Sequence, residues 1–136
     1  MNDHRPTLLI VDDSDDCSET LELALLSLKD VRIAIVRSAE EALQTFAAEP
    51  VAALVTDLHL PRMDGLHLLS TIRGAAQGRA IPVVVISGDS DPMTPARVLA
   101  AGAQAFFSKP YSPAAVRRKL EELLASSRRN RNGSPN

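Results

Sequence analysis

Apolar residues along the chain fall into two alternating modes. Short unbroken runs begin at Thr7 ("TLLIV"), Val31 ("VRIAIV"), Val51 ("VAALVT"), Ile81 ("IPVVVIS") and Ala105 ("AFFS"). They are rich in branched side chains and lack polar alternation, which predicts strands covered on both faces, as in a parallel sheet. Between them, apolar positions recur at helical spacing: in "SETLELALLSL", Leu21, Leu25 and Leu28 share one face. Start and stop signals frame the helices. Ser38 with Glu41 makes a capping-box pair. Asp64 caps a helix that ends near Gly74, and Thr94 caps one with Pro95 in its first turn and Gly102 as its stop. Ser112 and Pro113 repeat that start signal. A strand–helix unit repeated five times predicts an α/β fold, a doubly wound (βα)5 with a five-stranded parallel sheet, right-handed crossovers and helices on both faces.

Composition sets limits on this picture. The chain has 136 residues, enough for one domain with a single core. Its net charge of -2 gives no general case for nucleic acid as the partner. After the fifth helix too few residues remain for a helix-turn-helix module, so no direct nucleic-acid binding is expected. No apolar run reaches the length of a membrane span, and acids follow the first apolar run directly, unlike a signal peptide. The lone Cys17 has no disulfide partner, and its place suits inert helix packing in a reduced, cytoplasmic setting. From about Ser126 apolar periodicity stops. Residues 1–126 are expected to form the domain, and 127–136, with Arg128, Arg129 and Arg131, a flexible basic tail or linker.

Ligands of an open parallel sheet bind beyond the carboxyl ends of its strands. The first strand ends in Asp12 and Asp13, the third in Thr56 and Asp57, the fourth in Ser87 and Gly88, the fifth in Lys109 and Pro110. The second ends in Arg37 and Ser38, an ordinary helix start. Three carboxylates, a hydroxyl and an ammonium therefore converge on one edge. Close carboxylates repel and raise one another's pKa, and a hard cation such as Mg2+ relieves them. No His/Cys cluster suggests zinc. A carboxylate can take a phosphoryl group, and a hydroxyl and an ammonium can hold the phosphoryl oxygens. No glycine-rich nucleotide cradle is present. Each feature also has a plain reading. Asp12 and Asp13 could cap the first helix, Ser87 could serve a turn, and the His59 and His67 side chains read as surface residues.

Taken together, "IVDDS" (Ile10 to Ser14), "TDLHLPRMDGL" (Thr56 to Leu66), "VVVISG" (Val83 to Gly88) and "FFSKP" (Phe106 to Pro110) resemble the response-regulator receiver domains of two-component signalling, from about Pro6 to Ser126. The resemblance implies a chemotaxis-receiver-like, flavodoxin-like fold with strand order 2-1-3-4-5. It implies Asp57 as acceptor of a phosphoryl group from a histidine kinase or histidine phosphotransfer protein. Mg2+ would be held by Asp12, Asp13, Asp57 and the His59 backbone carbonyl. Ser87 and Lys109 would contact the phosphoryl oxygens, Ser87 and Phe106 would form the switch, and the Lys109–Pro110 bond would be cis. His59 and Asp89 sit where receivers vary, at positions placed to tune the phosphate's lifetime. Phe106 lacks the phenol that could anchor a new rotamer, and Phe107, facing the other way, is expected in the core. The signal would leave through the surface of the fourth helix, fifth strand and fifth helix. That surface would serve a downstream protein, an output domain or a dimer. Two rivals stand beside this reading: a degenerate receiver acting as a constitutive interaction module, and a small Mg2+-dependent phosphohydrolase, for which no lid insertion is visible.

Overall fold

The computed structural model describes residues 4–75 and 80–132. Its elements run β1 (Thr7–Val11), α1 (Asp15–Leu25), β2 (Arg32–Val36), α2 (Ala39–Ala48), β3 (Val51–Asp57), α3 (Gly65–Gly74), β4 (Val83–Ser87), α4 (Thr94–Ala100), β5 (Ala105–Ser108) and α5 (Pro113–Asn132). The five strands form one sheet in the order β2-β1-β3-β4-β5, every pair parallel. This is the doubly wound architecture and strand order expected.

Strand periodicity sorts the side chains into two cores. Leu9, Val11, Leu54, Val83 and Val85 point to one face and pack with Phe46 of α2, Leu68 and Ile72 of α3, and Val98 of α4. Leu8, Ile10, Val55, Val84 and Ile86 point to the other and pack with Leu21 and Leu25 of α1 and Val116 and Leu120 of α5. Hence α2, α3 and α4 cover one side of the sheet, and α1 and α5 the other. β1 and β4 are buried along their whole length. β2 is half-buried throughout and β5 half-buried in its middle, because both are edge strands. Phe106 and Phe107 do lie on opposite faces, each half-buried and packed against the core of its own side.

Local signals account for the helix ends. Ser38 Oγ accepts the Glu41 N–H at 3.2 Å, while Glu41 Oε1 accepts the Arg37 N–H at 2.9 Å, one residue before the cap. Asp64 Oδ1 accepts the His67 N–H at 2.8 Å. α4 closes in a Schellman turn, with Gly102 N–H to Leu99 O at 3.1 Å and Ala103 N–H to Val98 O at 3.3 Å. Gly102 supplies the φ of +113° that this turn requires.

Three expectations are corrected. Thr94 is not the cap of α4: it is the first helical residue, Met93 holds the cap position, and the Thr94 hydroxyl is donated to Asp89 instead. Leu28 is buried beyond the end of α1, reaching the core from a turn. The expected tail is helical as far as Asn132. Polar segments without an apolar stripe can still extend a helix when they hold good helix formers such as arginine. The remainder of that tail, 133–136, lies outside the described residues.

Candidate functional site

Backbone pairing runs one residue past several strands and fixes what stands at their carboxyl ends. Asp12 N–H reaches Val36 O at 3.0 Å, Leu58 N–H reaches Ile86 O at 2.9 Å, and Lys109 N–H reaches Ser87 O at 2.8 Å. Asp12, Asp57 and Lys109 are thereby carried by the sheet itself. The Lys109–Pro110 bond is cis, as expected.

Carboxylate oxygens of Asp12, Asp13 and Asp57 lie within 4.8 Å of one another. Asp12 and Asp57 are only 9% and 8% exposed, whereas Asp13 faces solvent. Each buried acid is oriented by the backbone: Asp12 Oδ1 accepts the Ser14 N–H at 2.9 Å, and Asp57 Oδ1 accepts the His59 N–H at 3.1 Å. Asp12 is therefore held in its own turn and does not cap α1, whose cap position belongs to Ser14. Lys109 Nζ donates to Asp57 Oδ2 at 2.7 Å. Burial, then the charges of Asp57 and Asp13, raise the Asp12 pKa against the Ser14 N–H and Lys109, which lower it. Burial alone would lower the Lys109 pKa, but the hydrogen bond and charge of Asp57, with Asp12, outweigh it and raise it. The ammonium thus stays charged and partly balances the acids.

Close packing brings the next loop to this floor. Gly65, at the start of α3, donates its N–H to Leu58 O at 2.7 Å. A Cβ there would meet Asp57 O at 2.6 Å and Leu58 Cα at 2.9 Å, so only glycine lets α3 begin against the acceptor strand. Ser87 is fully buried, and its Oγ accepts the Asp89 N–H at 2.9 Å. Phe106 stands beside Val85 in the β4–β5 register, two residues back from Ser87, on the face covered by α2, α3 and α4. All the sequence-derived positions therefore meet at or just below one sheet edge.

Contacts between loops escaped the sequence reading. The exposed His59 imidazole lies 3.6 Å from Asp89 Oδ2, bridging the loops after β3 and β4. The hydrogen bond from the Asp91 N–H, followed by those from Thr94 and His59, holds the Asp89 carboxyl below its ordinary value. Arg37 pairs with Asp15 and donates to Asp13 O at 3.1 Å, bracing the loop after β1. The one available hint was that Asp89 and His59 each sit two residues past a motif residue.

What the site fits can be tested on its donors. Three carboxylates that share so small a space, two of them buried, match the all-oxygen ligation of a hard divalent cation with waters completing the shell. Among the described residues no other group of acids, histidines or cysteines has ligand spacing.

Comparison with known proteins points the same way. Residues 8–121 match the family model of the response regulator receiver domain. The chain is 34% identical over 118 residues to the two-component response regulator ORR7 of Oryza sativa subsp. japonica, covering 86% of this chain and 56% of that protein. It is 33% identical over 126 residues to the sensory/regulatory protein RpfC of Xanthomonas campestris pv. campestris, covering 91% of this chain but only 17% of RpfC. The solved signal receiver domain of a signal transduction histidine kinase from Syntrophus aciditrophicus superposes with a TM-score of 0.82 at 29% identity, over 91% of this chain and 93% of that one.

Proposed function

This chain belongs to the response-regulator receiver family of two-component signalling, and we propose that it works as a phosphoacceptor switch with Asp57 as the acceptor. One observation carries the reading: Asp57 is a nearly buried carboxylate with an ammonium 2.7 Å away and two further acids within 4.8 Å. Such a group is costly to keep unless its chemistry uses it.

The transfer balances simply. An Asp57 carboxylate oxygen attacks the phosphorus of a phosphohistidine on a histidine kinase or phosphotransfer protein. The O–P bond forms as the P–N bond breaks, and the departing imidazole takes up a proton. Lys109, already on Asp57, is placed to hold a phosphoryl oxygen, and the Ser87 hydroxyl can turn to donate to another. Asp12, Asp13, Asp57 and the His59 carbonyl would hold Mg2+, which when bound neutralises charge on the phosphoryl oxygens. As Ser87 turns, Phe106 gains room to move inward. The α4–β5–α5 surface then changes for a downstream protein, an output domain or a second copy. The chain would catalyse only its own phosphorylation and dephosphorylation. Among the described residues no helix is long and apolar enough to cross a membrane, which agrees with the cytoplasmic site we infer.

The test is to incubate the protein with Mg2+ and acetyl phosphate and weigh it intact. A gain of one phosphoryl group that vanishes in Asp57→Asn is expected. Absence of that gain in the wild-type chain, with Mg2+ binding also absent, would instead identify a degenerate receiver.

A further inference from the structure

α4 spans only seven residues and is tied at both ends, but in different ways. Its C-terminal end is stitched to the body of the domain. Arg73 of α3 donates to Gly102 O through Nε at 3.2 Å and a terminal nitrogen at 2.7 Å. The same guanidinium reaches Gln104 Oε1 at 2.9 Å, and that oxygen also accepts the Val83 N–H at 2.7 Å. One cluster therefore locks α3, the α4–β5 turn and the start of β4.

The N-terminal end is held by the loop after β4. Ser87 Oγ accepts the Asp89 N–H at 2.9 Å, and Asp89 Oδ2 accepts the hydroxyl of Thr94, the first helical residue, at 3.1 Å. Thr94 is buried, whereas the loop between them is exposed or half-buried. Two further turns shape that loop: Asp89 Oδ1 accepts the Asp91 N–H at 2.8 Å, and Asp91 Oδ1 accepts the Met93 N–H at 2.9 Å. A hydrogen-bonded route from the buried Ser87 hydroxyl to α4 runs through the backbone N–H and carboxylate of Asp89.

We propose that Asp89 and Thr94 are the positioning pair that couples Ser87 to α4, so that phosphorylation releases the first turn of α4 while the Arg73 cluster keeps its far end as a pivot. This rests on the reading of Asp57 as phosphoacceptor and Ser87 as the hydroxyl that turns toward it. When Ser87 Oγ leaves, the Asp89 N–H loses its acceptor and the Asp89 side chain is no longer set against Thr94. The His59 imidazole, already 3.6 Å from Asp89 Oδ2, offers the carboxylate a second resting place. Asp89 would then exchange the Thr94 hydroxyl for the imidazole, and only the contact with Thr94 holds α4.

The experiment compares wild type, Thr94→Val and Thr94→Ser, each as the full chain with Mg2+, with and without acetyl phosphate. Intact mass reports phosphorylation, and amide hydrogen exchange reports the ends of α4 separately. In wild type, donor should speed exchange over residues 93–98 and leave 102–104 unchanged. Thr94→Val should gain mass normally. Its α4 start should exchange about fivefold faster before donor is added, the effect of one ordinary hydrogen bond, and respond no further. Thr94→Ser, which keeps the hydroxyl, should behave as wild type. If Thr94→Val does not fold, Asp89→Ala cuts the same link from the solvent side and should also abolish the donor-dependent change in α4. A wild-type exchange response in Thr94→Val or Asp89→Ala would overturn the coupling, as would a Thr94→Ser chain that behaves like Thr94→Val. A wild-type chain that gains no mass would instead bring down the phosphoacceptor reading beneath it.

Discussion

At the scale of single residues, the site is a balance between one ammonium and three carboxylates, and Asp12 reports that balance. Its pKa is raised, chiefly by burial and then by Asp57 and Asp13, so the folded chain holds this proton more readily than the unfolded chain does. The sign follows: the contribution of Asp12 to stability is greatest at low pH and declines as pH rises through its folded value, which lies above the ordinary 3.8. Metal binding needs the deprotonated acid, so Mg2+ affinity should fall as pH is lowered through that same raised value. Lys109 is among the groups that lower the Asp12 pKa. Lys109→Met should therefore move the acid edge of Mg2+ binding to higher pH, as read by titrations across an acidic pH series. An unmoved edge would mean that Lys109 does not act on the cluster electrostatically. These residues were legible in the sequence because each ends a strand of a parallel sheet, where the fold dictates convergence. The partners of Asp89 were not. A hydrogen bond between Asp89 and Thr94, or a contact with His59, depends on how two loops close, and no periodicity encodes that.

Elements show a similar division. Unbroken apolar runs marked every strand, and the cap signals at Ser38, Asp64 and Ser112 marked their helices, because each acts through neighbours in sequence. Strand order came from the family resemblance, and register was not foreseen at all, since pairing joins residues far apart in the chain. Thr94 misled because a threonine before proline looks like a cap, while its hydroxyl was committed to Asp89. Within α3, two glycines with the same apparent role as helix boundaries make opposite predictions. Gly65→Ala would press a Cβ against Asp57 O and Leu58 Cα, and should cost roughly 1–3 kcal/mol while weakening Mg2+ binding by displacing the acceptor strand end. Among the described residues nothing lies within 4 Å of the missing Cβ of Gly74, so Gly74→Ala should be stabilising by about 0.4–1 kcal/mol with no change in Mg2+ affinity. Urea unfolding and metal titration of the pair check both. Equal effects from the two substitutions would show that close packing on β3 is not what requires Gly65.

Across the whole molecule, the two cores hold a sheet whose carboxyl edge is arranged against its own stability. Leu8, Leu9, Leu54, Val83 and Val84 are fully buried, and the chain spends part of that stabilisation in keeping Asp12 and Asp57 away from water beside Asp13. Removing one charge should therefore help the fold wherever no cation is bound. Asp13 is the acid to change, because it faces solvent and its loss leaves no cavity. In buffer with chelator, Asp13→Asn should unfold later than wild type, by about 1 kcal/mol or a few degrees in Tm. Raising salt should shrink that gap, since an exposed charge is screened over about 10 Å at 0.1 M. Mg2+ should reverse the order. A ligand that binds only the native state adds about 2.7 kcal/mol at one hundred times its Kd, and the wild-type cluster should gain more of this than a cluster short of one carboxylate. Thermal scans in chelator, in salt and in Mg2+ decide the matter. If Asp13→Asn is the less stable protein in chelator, the three acids are not in conflict, and the case for a cation at this edge loses its electrostatic basis.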